Sequence, residues 1–145
     1  MDVNRKALFE AAVKARGNAH APFSGFHVGA AIQTADGTIV TGCNVEISSY
    51  SHTCCAERVA VFKAVSEGHT KVVACAVVTD TSPPATPCGA CRQVLHDFGP
   101  DMVVLLADTE RVHRELPLRT LLPEGFTAQQ VLDHIERRYS STGSK

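Results

Sequence analysis

Charge of one sign is what this sequence has least of: 14 Lys and Arg stand against 15 Asp and Glu, leaving a net charge of -1 and a pI near 6.6. The basic footprint that binding to a phosphate polymer requires is therefore missing. The pair Arg137-Arg138 is read instead as the dipole partner of a closing helix. Long apolar runs are missing as well: the longest, Val72 to Val78, falls far short of the ~18 residues of a membrane span. The first 16 residues carry Asp2, Arg5, Lys6, Glu10, Lys14 and Arg16, which leaves no uninterrupted apolar stretch for a secretion signal. A soluble, cytoplasmic protein is the expectation. Internal repeats and low-complexity tracts are absent too, apart from a polar tail at 140–145 that is expected to fray.

What remains is an ordinary globular balance, 44 % hydrophobic and 20 % charged over 145 residues, so a single domain over 1–139 is expected. Six cysteines without a secretion signal point to metal binding or catalysis rather than disulfides. Helical spacing of Leu8, Ala11, Ala12 and Ala15 marks a first helix over Asn4 to Ala15, stopped by Gly17. Phe26 to Thr34 and Thr38 to Cys43 read as a hairpin turning at Asp36-Gly37. Cys54 to Glu67 is apolar on nearly every side, which predicts a buried helix. Lys71 to Thr79 reads as a central strand, Gly89 to Phe98 as a helix and Met102 to Ala107 as a buried strand. Val112 to Leu116 follows as an edge strand, and Thr127 to Arg138 as a last amphipathic helix capped by Thr127. This order suits an α/β sandwich, a mixed sheet packed between helices.

The chemistry concentrates in two stretches, Cys54-Cys55-Ala56-Glu57-Arg58 and Pro87-Cys88-Gly89-Ala90-Cys91-Arg92. Together they supply three or four thiols and one acid, more than a structural clip requires, and each sits where a helix begins. Helix N-termini stabilise thiolates, so a hydrolytic zinc site is the reading. Three thiolates leave Zn²⁺ with a net charge of about -1, and Arg58 and Arg92, which directly follow the motifs, are the cations placed to offset it. Mid-helix, residues two apart point about 200° apart, but in a first turn Cys55 can reach back while Glu57 leans over the site. Glu57 would then take and return a proton, and the Ala56 N–H would donate to a substrate carbonyl.

The spacing C-x-E favours Cys55 over Cys54 as ligand; Cys54, Cys43 and Cys75 read as packing. His52 is a weaker candidate, because a site with three thiolates keeps its fourth position for water. His20, His69, His96, His113 and His134 show no partner spacing. A thiol redox protein would explain Cys88-Gly89-Ala90-Cys91 but neither Cys55 nor Glu57. A closed structural zinc module would want a second C-x-x-C or an H-x-x-H pair, and neither is present.

C-A-E followed by P-C-x-x-C is similar to the signature of the zinc nucleoside and nucleobase deaminases. Within that class the chain resembles the small, homotetrameric cytidine deaminases, in the cytidine/deoxycytidylate deaminase family. Ala21 to Ala31, Gly42-Cys43-Asn44-Val45-Glu46, Cys55 to Arg58, Pro87 to Gln93, and Leu121-Leu122-Pro123 before Phe126 carry the resemblance. It implies a three-layer α/β/α fold with about five strands in a mixed sheet. It implies one Zn²⁺ per subunit on Cys55, Cys88 and Cys91, Glu57 as proton shuttle, and Arg58 neutralising the ligand sulfurs. Asn44 and Glu46 would bind the ribose, Phe26 would pack on the pyrimidine, and Tyr50 and Phe126 match positions that a neighbouring subunit lends. The implied reaction is hydrolysis of cytidine and 2'-deoxycytidine to the uridines and ammonia, a salvage reaction on a free nucleoside. Blasticidin-type antibiotic deaminases and enzymes for modified cytidines stay open beside it, although Asn44 and Glu46 favour a ribose. Ile47 and His27 depart from the common pattern. A carboxylate at Glu46 against the ribose would repel a 3'-phosphate.

Overall fold

The protein is described from a computed structural model covering residues 2–141. Helix α1 (Arg5–Arg16) is capped by the Asn4 side chain, which accepts the Ala7 N–H at 3.1 Å. Strands β1 (Gly29–Thr34) and β2 (Ile39–Cys43) form an antiparallel hairpin. Its turn is set by Gly37 at φ +91° and by Asp36, whose carboxylate accepts the Thr38 N–H at 3.1 Å. A single 3₁₀ turn, Tyr50–His52, leads into α2 (Ala56–Ser66). Strand β3 (Val72–Val78), α3 (Gly89–Phe98), β4 (Val103–Ala107), β5 (Val112–Pro117), a short α4 (Leu118–Leu121) and α5 (Ala128–Ser140) complete the chain.

The sheet runs β2-β1-β3-β4-β5, with β3 and β4 parallel and the other pairs antiparallel. Alternation along each strand sends side chains to opposite faces, and both faces are covered. Ile32, Val77, Val104 and Leu106 share one core with Ala60, Val61 and Leu95 of α2 and α3. Ala31, Ala76, Val78 and Leu105 share the other with Leu8 and Ala12 of α1. The result is the expected three-layer α/β/α sandwich around a five-stranded mixed sheet. β3 is central and β5 is the edge, as their patterns predict.

Three differences from the sequence reading have physical causes. β1 begins at Gly29 rather than Phe26, because the backbone before it bonds to side chains instead of a strand. The Asn44 amide donates to the Phe26 carbonyl at 2.7 Å and accepts the Val28 N–H at 2.9 Å, while Asp80 accepts the His27 N–H at 2.9 Å. Helix α2 is buried on one face only: Ala56, Ala60, Val61 and Ala64 are covered, while Phe62 is 50 % exposed. Apolar composition alone does not distinguish a core helix from one with an uncovered apolar face. Helix α4 is too short for a periodic signal, and Leu118 anchors it in the core shared with α2 and α3. At the chain's end α5 carries the expected Thr127 cap, here a reciprocal capping box with Gln130, and runs to Ser140. Of the expected polar tail, positions 142–145 lie outside the described residues.

Gly42 fixes where α2 meets the hairpin. A Cβ there would stand 2.4 Å from the Ala56 carbonyl and 2.5 Å from the Ala60 N, so only glycine lets the first turn of α2 lie against β2. That turn carries the first sequence motif.

Candidate metal centre and active site

Cys55 and Cys88 occupy equivalent places. Each is the N-cap residue of its helix, in extended conformation, and neither side chain is used as a cap. Both thiols are thus left free beside the positive ends of α2 and α3. Cys91, in the first turn of α3, is buried. The sulfurs of Cys55, Cys88 and Cys91 all lie within 4.8 Å of one another, with Cys55–Cys88 at 3.9 Å and Cys88–Cys91 at 3.4 Å. Three sulfurs on a tetrahedral zinc at ~2.3 Å would stand ~3.8 Å apart, so the donor set fits that ion. Among the described residues no other group of three such side chains converges in this way.

The electrostatics agree with the donor chemistry. Hydrogen bonding from the Cys91 thiol, then Arg58 and Cys88, hold the Cys55 thiol well below its ordinary range against the effect of burial. The Cys91 thiol, which donates to Cys55 and is buried beside Glu57, is pushed up. Arg58 places Nη2 3.4 Å from the Cys55 sulfur, and its own pKa rises through that bond. Arg92 does not join it. Its guanidinium points to Pro87, Thr86 and Leu121, so the pairing of both arginines with the thiolates, suggested by their position after the motifs, holds only for Arg58. Glu57, 4 % exposed, is raised to about 7, chiefly by burial and then by the charge on Cys55. A buried carboxyl that titrates near neutrality can both take and give a proton.

These groups open into a cavity of about 310 Å³ lined by Cys55, Ala56, Glu57 and Cys88 together with Phe26, Asn44, Glu46 and Tyr50. Asn44 fixes the Phe26–Val28 backbone, as described. Glu46 is nearly buried, and one carboxylate oxygen accepts the Ser24 N–H at 3.1 Å and the Ser24 hydroxyl at 3.2 Å. The other accepts the Tyr50 hydroxyl at 3.0 Å, within the same chain. Burial opposes ionisation of Glu46, but the Ser24 and Tyr50 donors outweigh it and hold the carboxyl below its usual range. Phe126 is 60 % exposed and stands outside the residues that line this cavity. Ile47 is 40 % exposed, and His27 lies beside Asp80.

The remaining cysteines and histidines are elsewhere. Cys54 pairs by backbone with Val45, its thiol raised by burial, and Cys75 is fully buried. His52 bonds Ser49 rather than approaching the sulfurs. His69 and His113 do have partners, Asp36 and Asp108, which sequence spacing did not reveal. Sequence reasoning also missed the wall formed by Thr79, Ala85 and Thr86. Thr79 is buried and its hydroxyl accepts the Ala85 N–H at 3.1 Å; no local motif announces such a pairing.

Residues 2–107 match the family described as the cytidine and deoxycytidylate deaminase zinc-binding region. The chain is 46 % identical over 132 residues to a cytidine deaminase of Halalkalibacterium halodurans, covering 90 % of this chain and all of that one. Among solved structures it resembles cytidine deaminase from Burkholderia pseudomallei, at 45 % identity and a TM-score of 0.81, covering 86 % of this chain and 100 % of that one. The corresponding structure from Mycobacterium tuberculosis is 39 % identical with a TM-score of 0.76, covering 86 % of this chain and 98 % of that one.

Proposed function

The chain belongs to the cytidine and deoxycytidylate deaminase family, and from that premise we propose that it hydrolyses free cytidine and 2'-deoxycytidine to uridine and 2'-deoxyuridine, releasing ammonia. The observation that carries this reading is the buried Glu57 beside three converging thiols, two of which, Cys55 and Cys88, line the same cavity as Glu57. Cys55, Cys88 and Cys91 are the residues that would hold zinc. When bound, the ion supplies a Lewis acid and an activated water at neutral pH.

The chain's own groups do the rest. Glu57 takes one proton from the attacking water and delivers it to N3 of the base, then takes the remaining proton from the new C4 hydroxyl and delivers it to the 4-amino nitrogen as the C4–N4 bond breaks and the carbonyl forms. Arg58 offsets the thiolate charge, which keeps the centre electrophilic. The Ala56 N–H, in the first turn of α2 where a helix has no acceptor of its own, donates to the base carbonyl. Phe26 packs on the pyrimidine, and Asn44 and Glu46 take the ribose hydroxyls. Tyr50 bears on the ribose end through its bond to Glu46.

We further propose a homotetramer in which Phe126 of one copy completes the pocket of another. Three apolar features support it: the exposed Phe62 on α2, the exposed Phe126, and the uncovered Val131, Leu132 and Ile135 along α5. Light scattering coupled to size exclusion tests the assembly; a monomeric enzyme with full activity would refute the sharing of pockets. No helix among the described residues is long and apolar enough to cross a membrane. A reducing, cytoplasmic setting is proposed because a three-thiolate centre needs it.

The test of function is loss of ultraviolet absorbance as cytidine becomes uridine, on wild type and on Glu57→Gln, with zinc measured in both. Turnover by wild type and a zinc-loaded but nearly inactive variant are expected. Zinc-loaded wild type that ignores both cytidine and deoxycytidine would overturn the substrate assignment and leave the metal site standing.

A further inference from the structure

The three thiols are not held alike. Cys91 is buried in α3, and Cys55 is half-buried with Arg58 on its sulfur. Cys88 is exposed and ends an irregular segment, 79–88, that belongs to no strand or helix. That segment is rich in proline, with Pro83, Pro84 and Pro87, so it has few N–H groups with which to anchor itself. Thr79, Asp80 and Ala85 tie down its start, so it is 86–88 whose hold must come from elsewhere.

We infer that Arg92 is a positioning residue for the metal centre, clamping the arm that carries Cys88 to the end of α4 and so setting how firmly zinc is retained. The guanidinium donates from Nε to the Pro87 carbonyl, from Nη2 to the Thr86 hydroxyl and from Nη1 to the Leu121 carbonyl, each at 2.8 Å. Three acceptors from two separate segments match the planar fork of arginine, which an ammonium cannot reproduce. The next residue extends the grip: the Gln93 amide donates to the Phe126 carbonyl at 2.7 Å and accepts its N–H at 3.3 Å. Two consecutive residues of α3 therefore join the Cys88 arm, the Thr86 wall of the cavity and the stretch 121–126. Arg92 acts through the position of Cys88 and not through charge on the sulfurs, which is the work of Arg58.

This inference rests on the zinc reading above, and its test reads the metal directly. Zinc-loaded wild type, Arg92→Met, Arg92→Lys and Thr86→Val are mixed with a chromogenic chelator, and the rate of zinc release is followed beside the melting temperature. Outer groups that orient ligands typically change metal retention by about 10- to 100-fold, and Arg92→Met is expected to release zinc faster by that factor. Arg92→Lys should fall between it and wild type, and Thr86→Val, which removes one acceptor, should accelerate release about two- to fivefold. Release from Arg92→Met at the wild-type rate, even with a lower melting temperature, would show a merely structural role and overturn the inference. Full rescue by Lys would overturn the clamp in favour of charge. If Arg92→Met does not fold, Thr86→Val decides alone, and wild-type release there is the negative result. Wild type purified without zinc, and unable to bind it, would instead remove the metal reading itself.

Discussion

The two ends of the cavity are built in opposite ways. At the metal end, Cys55, Glu57, Cys88 and Cys91 come from two short sequence stretches and sit at the starts of two helices packed on the sheet. At the other end, the ribose end of the proposal, Phe26, Asn44, Glu46 and Tyr50 come from loops and a 3₁₀ turn, and their geometry is set by side chains bonding to one another and to distant backbone. The first end takes its precision from secondary structure and the second from a polar network. Substitutions should therefore behave differently: at the metal end they should remove chemistry and leave binding, and at the ribose end they should weaken binding and disturb the loops together.

The largest effect separates the ends most cleanly. Glu57→Gln should lower kcat about a thousandfold with zinc retained and KM little changed, as steady-state kinetics and metal analysis would reveal. An equal loss in binding would erase the contrast. Glu46→Gln comes next: it removes the charge that Ser24 and Tyr50 support, and KM for cytidine should rise about 10- to 100-fold with a smaller change in kcat. A kcat effect as large as that of Glu57 would mean that the ribose end takes part in the chemistry. The Glu46 carboxylate should also disfavour 3'-CMP against cytidine by at least about tenfold in kcat/KM. Comparable turnover of the two would remove that carboxylate from the sugar.

The smallest effect lies away from both ends and gives their baseline. Asp108 is held down to about 2, first by the Arg111 N–H and then by His113. Its folded pKa is below the ordinary 3.8, so its contribution is complete above about pH 4 and fades as pH falls through about 2. Asp108→Asn should lower the melting temperature slightly at neutral pH, with no difference left in strong acid and no change in kinetics. A kinetic effect there would show that the β4–β5 turn communicates with the site.

The same contrast governs how much of the molecule is legible in its sequence. The metal end was legible because C-x-E and P-C-x-x-C are local patterns whose chemistry needs those residues at that spacing. At the ribose end Asn44 and Glu46 carry no such signal, and only resemblance to a family picked them out. The position of Arg92 after its motif suggests a second cation for the sulfurs, but its partner Leu121 lies 29 residues on and no spacing rule joins them. The layer order was readable from alternating strand and helix patterns. The start of β1 was not, because it depends on a side chain 16 residues later accepting the Val28 N–H.

That side chain has an evolutionary consequence. Asn44 holds the loop bearing the aromatic wall while facing the place where the sugar is proposed to sit. With the sugar and base placed as proposed, preference for one and preference for the other are not independent traits in this scaffold. A lineage, or a protein engineer, that alters position 44 to admit a new sugar loosens the grip on the base in the same step. A second change near Phe26 has to follow before the gain can be kept.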